Sequence, residues 1–223
     1  GLITRFRPVP MTVTPYSFFG EDFFAPEIDE ICIGSNTLSI DDYVECRLFN
    51  LTIEIFYNSR IFEDLFKLIK KNDIKISEFI KGIHKRVRSS KKLLKVYDDF
   101  TRETNELWKT KEELVEILKD DKILAKFNSG EMGNNEQLVY SSIAVLDFQE
   151  EIHEVAFGFA KDVIADNGSS SEAVSAFLQE FKKYGLATKK NMLQTEDSIS
   201  ESFAYDIPSM INSEFKKNLS DYC

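Results

Sequence analysis

One tryptophan (Trp108), two histidines and three cysteines leave this 223-residue chain poor in the side chains that most often carry redox or metal chemistry. Cys32, Cys46 and Cys223 stand far apart. None is within metal-ligand spacing of another, and an odd count fits no disulfide framework. A reducing, cytoplasmic setting is the expectation that follows. His84 and His153 lie in no HExxH or HxH context. Each is expected to be a surface or satisfied structural histidine rather than a ligand or catalytic base. There is no P-loop, no GxGxxG and no GxSxG, so the usual phosphate cradles and the nucleophile elbow are excluded as motifs. No internal repeat is present. No apolar run approaches the ~20 residues of a membrane span, and no signal-peptide pattern is seen.

Basic residues are also in the minority. Lys and Arg number 28 against 38 Asp and Glu, for a net charge of −10, and the pI is about 4.9. A general nucleic-acid binder would be basic, so nucleic acid is not the expected partner. What the chain does have is an ordinary globular balance, 43% apolar and 30% charged, unusually rich in phenylalanine at 19. That length can bury a sizeable core.

The densest apolar stretch is 38–71. Ser39 with Asp42 three residues on resembles a capping box, and Asp41 and Asp42 place negative charge at a helix N-terminus. Val44, Leu48, Leu51 and Ile55 then recur at helical spacing, with Phe49, Ile53 and Phe56 beside them. Leu51, Ile53, Ile55 and Tyr57 also alternate, so a buried strand competes for the second half; length and capping favour helix. Asn58 and Ser59 interrupt the run, and 60–71 forms a second helix.

One line on the first helix is polar. Tyr43, Arg47, Asn50, Glu54 and Tyr57 fall at spacings that share a face. This is either the solvent side of the helix or a seam facing a cleft or partner domain, anchored by Arg47 and Glu54.

Elsewhere the chain reads in order. The opening 1–14 is extended, with Pro8 and Pro10 forbidding helix. Residues 20–26 form a Phe-rich turn region, and 28–35 alternates like a short strand, able to pair with a second strand over 12–16. A helix is expected over 76–88. The segment 81–95 holds seven Lys or Arg and no acid. It is either a site for phosphate, RNA or an acidic partner, or a solvated face that offsets the acidic total. One long or two stacked helices cover 92–127, with Thr110 as a new N-cap, and 128–135 is a Gly/Asn loop. A single long helix is expected over 136–165, stopped by Asn167-Gly168. Ser170 or Ser171 caps a helix over 172–184 that Gly185 ends. Residues 186–202 are polar and loose, and 203–208 is an extended docking stretch. The acid pairs Asp41-Asp42, Asp98-Asp99 and Asp120-Asp121 belong at caps or on exposed faces, not in a catalytic dyad.

The run SNTLSIDDYVECRLFNLTIEIFYN resembles the region that follows the radical SAM barrel in proteins combining a cobalamin-binding domain with a radical SAM domain. Ser35, Thr37, Leu38, Ser39, Asp41, Asp42, Tyr43, Arg47 and Phe49 carry the resemblance. The opening TRFRPVP looks like the exit of that barrel, and FAYDIP looks like a segment near the end of such chains. The cluster motif CxxxCxxC and the D-x-H-x-x-G signature of cobalamin binding are both absent. The resemblance therefore implies a C-terminal accessory region of a larger enzyme. The 4Fe–4S cluster, S-adenosylmethionine and any cobalamin would belong to the parent, and no cofactor to this chain.

The expected fold is mainly α, a multi-helix bundle with a short extended or β segment at the N-terminus. It divides into an extended segment at 1–38, a helical domain at 39–185 and a loose C-terminal segment at 186–223. The implied function is to shape substrate access in a radical SAM oxidoreductase or methyltransferase, with that enzyme's barrel as the partner. The alternative is a free-standing helical module that binds a protein or acidic ligand through 81–95. No residue is assigned to catalysis, cofactor or metal.

Overall fold

A computed structural model describes residues 1–9, 15–24, 26–168, 172–189 and 200–216. Among them are four strands and ten helices, so the chain is mainly helical with its β-structure confined to the N-terminal segment. None of these helices is long and apolar enough to cross a membrane. The chain forms two compact units: Gly1–Leu48 with Asp98–Tyr140, and Phe49–Tyr97 with Ser141–Cys223. The division does not follow the expected boundaries at 38 and 185.

In the first unit, β1 (Ile3–Pro8) pairs antiparallel with β4 (Ile28–Gly34), Arg5 opposite Ile31 and Phe6 opposite Glu30. The expected partner, 12–16, is not the one used, and 12–14 lie outside the described residues. Pro8 is tolerated because it ends the strand, where no ladder donor is needed. β2 (Pro15–Phe18) and β3 (Glu21–Phe24) make a separate hairpin where a turn region was expected. Its two-residue turn is Phe19-Gly20, with φ of 53° and 84°. Two successive left-handed residues match the twist of a hairpin. A Phe in the place usual for Asn or Asp hid the turn from the sequence.

Opposite its β4 edge, β1 meets Trp108 through paired backbone bonds: Phe6 N–H to Trp108 carbonyl at 2.8 Å and Trp108 N–H to Phe6 carbonyl at 3.0 Å. The segment 92–127 resolves into three helices, α4 (Lys91–Thr104), α5 (Lys111–Ile117) and α6 (Asp121–Ser129). Thr110 caps α5 by accepting from Glu113 N–H, and Asp120 caps α6 by accepting from Lys122 N–H. Ile33, Phe100, Leu114, Phe127 and Tyr140 are buried in this unit.

α1 (Ile40–Ile53) is the helix that the capping box predicts. Ser39 Oγ accepts from Asp42 N–H at 3.0 Å and Asp42 Oδ2 accepts from Ser39 N–H at 3.2 Å. The Ser39 hydroxyl, which also donates to Asp42 Oδ2 at 2.7 Å, and after it the Ser39 N–H hold the Asp42 carboxyl below its usual range. The strand alternative is not adopted. The last turn widens into a π-helical turn, Glu54–Asn58, and Arg60 takes a left-handed φ of 60°. The second helix, α2, therefore starts at Glu63 rather than at 60 and runs to Lys71.

In the second unit α2, α3 (Ile76–Val87), α8 (Gln149–Asp166) and α9 (Glu172–Lys189) pack as a bundle. Gly82 lies where a Cβ would fall 1.9 Å from the Phe159 ring, so its missing side chain is what lets that ring in. The expected helix over 136–165 is two: α7 (Glu136–Asp147) and α8, broken at Phe148, whose φ of −124° and ψ of 38° leave the helical well. Glu150 and Glu151 then supply a fresh acidic first turn. A one-residue break barely disturbs the apolar period, which is why periodicity joined them.

α9 runs through Gly185 to Lys189 instead of ending there. A Cβ at Gly185 would lie 3.1 Å from His153 Nε2, so this glycine serves a close approach, not a stop. Asn167 and Gly168 (φ 87°) do end α8. The stretch 203–208 is not extended throughout. Asp206 caps α10 (Ile207–Asn212) by accepting from Ser209 N–H, and Ile207, Met210 and Phe215 are buried. The proposed caps Ser170 and Ser171, most of the polar segment (190–199) and Cys223 lie outside the described residues.

Candidate functional site

The residues that carry the resemblance resolve into local devices plus two long-range contacts, that of Phe49, edge-on to the His84 ring with centres 5.2 Å apart, and that of Arg47. Ser35 Oγ accepts from Thr37 and Leu38 N–H, each at 3.2 Å, and Ser35 N–H donates to Leu38 carbonyl at 2.8 Å. This turn hands β4 to the Ser39/Asp42 box and so to α1. Ser35, Thr37, Leu38, Ser39 and Asp42 are thus explained by turn and cap chemistry.

Arg47 is not. About two turns into α1, its guanidinium donates to Glu136 Oε2 at 3.2 Å and lies 5.3 Å from the centre of the Phe100 ring. Arg7 from β1 approaches the same carboxylate at 3.9 Å. The three charged side chains are only about one-fifth to one-quarter exposed (Arg47 23%, Arg7 25%, Glu136 19%). Two cations on one part-buried carboxylate form a net-positive cluster. Beside it Phe100 meets the Tyr140 ring edge-on, and Tyr140 OH donates to Glu103 at 2.6 Å. Burial first, and the Glu103 carboxylate second, push the Tyr140 phenol well above its ordinary value. It is a hydrogen-bond donor here, not an acid or base.

The Nε atoms of Arg7 and Arg47 and both amide atoms of Gln137 are buried without a hydrogen-bond partner among the described residues. A recess of about 130 Å³ opens beside Arg7, with Glu103, Trp108, Phe127 and Glu136 also in its wall. Such a recess can hold a small polar group, and its wall supplies both donors and acceptors.

The polar line on α1 is not one seam. Tyr43 is half-buried and Arg47 joins the cluster above. Asn50 is exposed and does not bridge Arg47 to Glu54. Glu54 instead accepts from Asn58 Nδ2 at 2.8 Å, one turn on. Tyr57 is 51% exposed and rests against Phe66, ring centres 5.5 Å apart. The π turn shifts everything after Glu54 off the period that aligned the five. Glu136, Phe100, Glu103 and Tyr140 were missed because nothing local marks them: Glu136 is 89 residues from Arg47.

In the second unit three of the seven cations of the basic segment 81–95 are seen paired with acids. Lys81 pairs with Glu78, Arg86 with Asp162 and Lys92 with Glu151. The two histidines are buried. His84 Nδ1 lies 2.7 Å from Thr52 Oγ1, which is 2.8 Å from Tyr97 OH, and burial raises the Tyr97 phenol far above its usual range. His153 Nδ1 donates to Gln149 carbonyl at 2.8 Å between the Phe62 and Phe157 rings. Burial lowers its pKa to about 4, with Lys182 and Lys189 contributing, so it is neutral. Neither histidine opens to solvent as a catalytic base would need.

Cys32 and Cys46 are exposed free thiols, and no cluster of His, Cys, Asp or Glu among the described residues could hold a metal ion. Comparison with protein-family models, with characterised proteins and with solved structures finds no match.

Proposed function

We propose that this chain is an accessory helical region of a larger radical SAM enzyme, an oxidoreductase or methyltransferase of the cobalamin-binding kind. In this reading it covers the barrel mouth and shapes substrate access, while the parent supplies cluster, S-adenosylmethionine and cobalamin. The observation that carries the reading is the β1–β4 ribbon leading through the SNTLS turn into Arg47. A two-stranded ribbon is marginal by itself. The β4 edge away from β1 has no strand neighbour among the described residues, which is where a parental sheet would continue. The β2–β3 hairpin adds to this, since Tyr16, Phe18, Phe19, Phe23 and Phe24 are 42–95% exposed. So many bare aromatics ask for a covering surface. The paired acids around 81–95 leave less free charge for the alternative, an acidic-ligand module built on that segment.

The test is the reading frame that encodes this chain. A CxxxCxxC motif upstream of Gly1 is expected, and a start codon immediately before Gly1 would overturn the proposal. In the full-length parent, Arg47→Ala should lower turnover much more than Lys92→Ala; equal activities would remove Arg47 from the role.

A further inference from the structure

The second unit carries a feature that the reading above does not use. A cleft of about 960 Å³ runs along α2, walled by Tyr57, Arg60, Phe66, Lys67, Lys70 and Lys71. Lys216 closes it, so five cations face two acids, Glu63 and Glu214. Lys67 is neutralised by Asp64 at 2.8 Å and Lys216 by Glu214 at 3.1 Å. Arg60, Lys70 and Lys71 have no ion-pair partner among the described residues. In a protein of net charge −10, three cations outside any ion pair, against the one remaining acid Glu63, leave an unusual net-positive local field.

Two further observations point the same way. Lys70 and Lys71 lie three and four residues after Lys67, and Lys70 lies four after Phe66, so charge is laid out along one face of α2 beside an aromatic ring. Lys67 to Lys71 spans ~6 Å of helix axis, so the lysines can reach more than one phosphate of a polyphosphate chain. Tyr57 is half exposed, braced against Phe66, and presents a ring to solvent at the cleft wall. Arg60 holds a left-handed backbone that a non-glycine residue adopts at a cost. Arg60 stands between Tyr57 and the lysines in sequence and lines the same cleft, and a left-handed backbone is the kind of strain found at ligand clamps.

We infer that this cleft binds a nucleoside polyphosphate, its phosphates on Arg60, Lys70 and Lys71 and its base against Tyr57. The inference does not rest on the radical SAM reading, because Arg60, Lys70 and Lys71 lie outside the run that resembles that family and Tyr57 is not among the residues that carry it. Aromatic stacking tolerates any base, and lysines bind phosphate as point charges, so the class is set and the base is not.

Calorimetric titration of the whole chain with ATP, inorganic tripolyphosphate and adenosine separates the contributions. ATP should bind with Kd below about 1 mM, more weakly as salt is raised. Lys70→Glu/Lys71→Glu should weaken ATP at least about tenfold, and Lys81→Glu/Lys85→Glu should leave it unchanged. Tyr57→Ala should bring ATP down to the affinity of tripolyphosphate, leaving the latter unaltered. Far-ultraviolet circular dichroism confirms that each variant is folded. No heat with ATP at that concentration, or equal losses from the two lysine pairs, would overturn the site. Tripolyphosphate binding as tightly as ATP in the unsubstituted chain would overturn the nucleoside assignment.

Discussion

Removing Arg47 tests whether the part-buried cluster of the first unit holds that unit together. Arg47→Ala deletes the 3.2 Å bond to Glu136 and the contact with Phe100. The cation–π contact contributes ~0.5–1 kcal/mol at a partly exposed site. An exposed ion pair contributes about 0.2–1 kcal/mol, while breaking a fully buried one costs about 3–5. Exposures of 23% and 19% place this pair between those limits. Arg7, at 3.9 Å, still faces Glu136 after the change and softens the loss. A total of roughly 2 kcal/mol follows. With a urea slope of about 2 kcal/mol per molar, the midpoint should fall by about 1 M. The assay is built in: Trp108, the single tryptophan, belongs to this unit and pairs with Phe6, so its fluorescence reports the transition that matters. Lys92→Ala is the control. Its side chain is 64% exposed, and circular dichroism should show a shift below ~0.3 M. The cycle with Glu136→Gln should be non-additive by about 1 kcal/mol. Equal midpoints for Arg47→Ala and Lys92→Ala, or strict additivity with Glu136→Gln, would refute the reasoning and return Arg47 to the wet side of its helix.

Gly82→Ala should lower the thermal midpoint by about 4–8 °C, since a methyl group 1.9 Å from the Phe159 ring forces repacking worth ~2 kcal/mol; an unchanged melt would show that the ring moves freely. Thr52→Val takes one hydrogen bond each from His84 and Tyr97 and should cost about 1–3 kcal/mol, with Thr52→Ser restoring most of it in denaturant melts. His153 adds a pH dependence. Its folded pKa of about 4 lies below the ~6.5 of the unfolded chain. The unfolded state then binds the extra proton first, so stability complete above pH ~6.5 is lost as pH falls towards 4. His153→Gln should flatten that part of the stability–pH curve, and an identical slope in the variant would sink the assignment.

The helix starts and stops were legible because they depend on neighbours three or four residues away. The Ser39/Asp42 box, the Thr110 cap and the Asn167-Gly168 stop all form as the residues alone suggest. The mainly helical class followed from the same local periods. Where a residue's role depended on what it packs against, the chain alone misled. Gly185 reads as a stop, but it makes room for His153 in mid-helix. Phe148 reads as one more apolar position, but it breaks two helices apart. β4 pairs with β1 rather than with the nearer 12–16, and Trp108 lines up opposite Phe6 across a hundred residues.

The candidate sites divide the same way. Tyr43, Arg47, Asn50, Glu54 and Tyr57 share a face by spacing, yet only Arg47 enters the charged cluster, because Glu136, Phe100 and Arg7 come from distant elements. The basic run at 81–95 stood out by composition, but charge is felt only after the acids opposite are in place, and Glu78, Asp162 and Glu151 supply them. The cations around Arg60, Lys70 and Lys71 drew no notice in the sequence, because acids surround them there. Local sequence determined where this chain turns and coils; which charges keep a partner and which face open water was decided only when the helices packed, because electrostatics and burial act through space rather than along the chain.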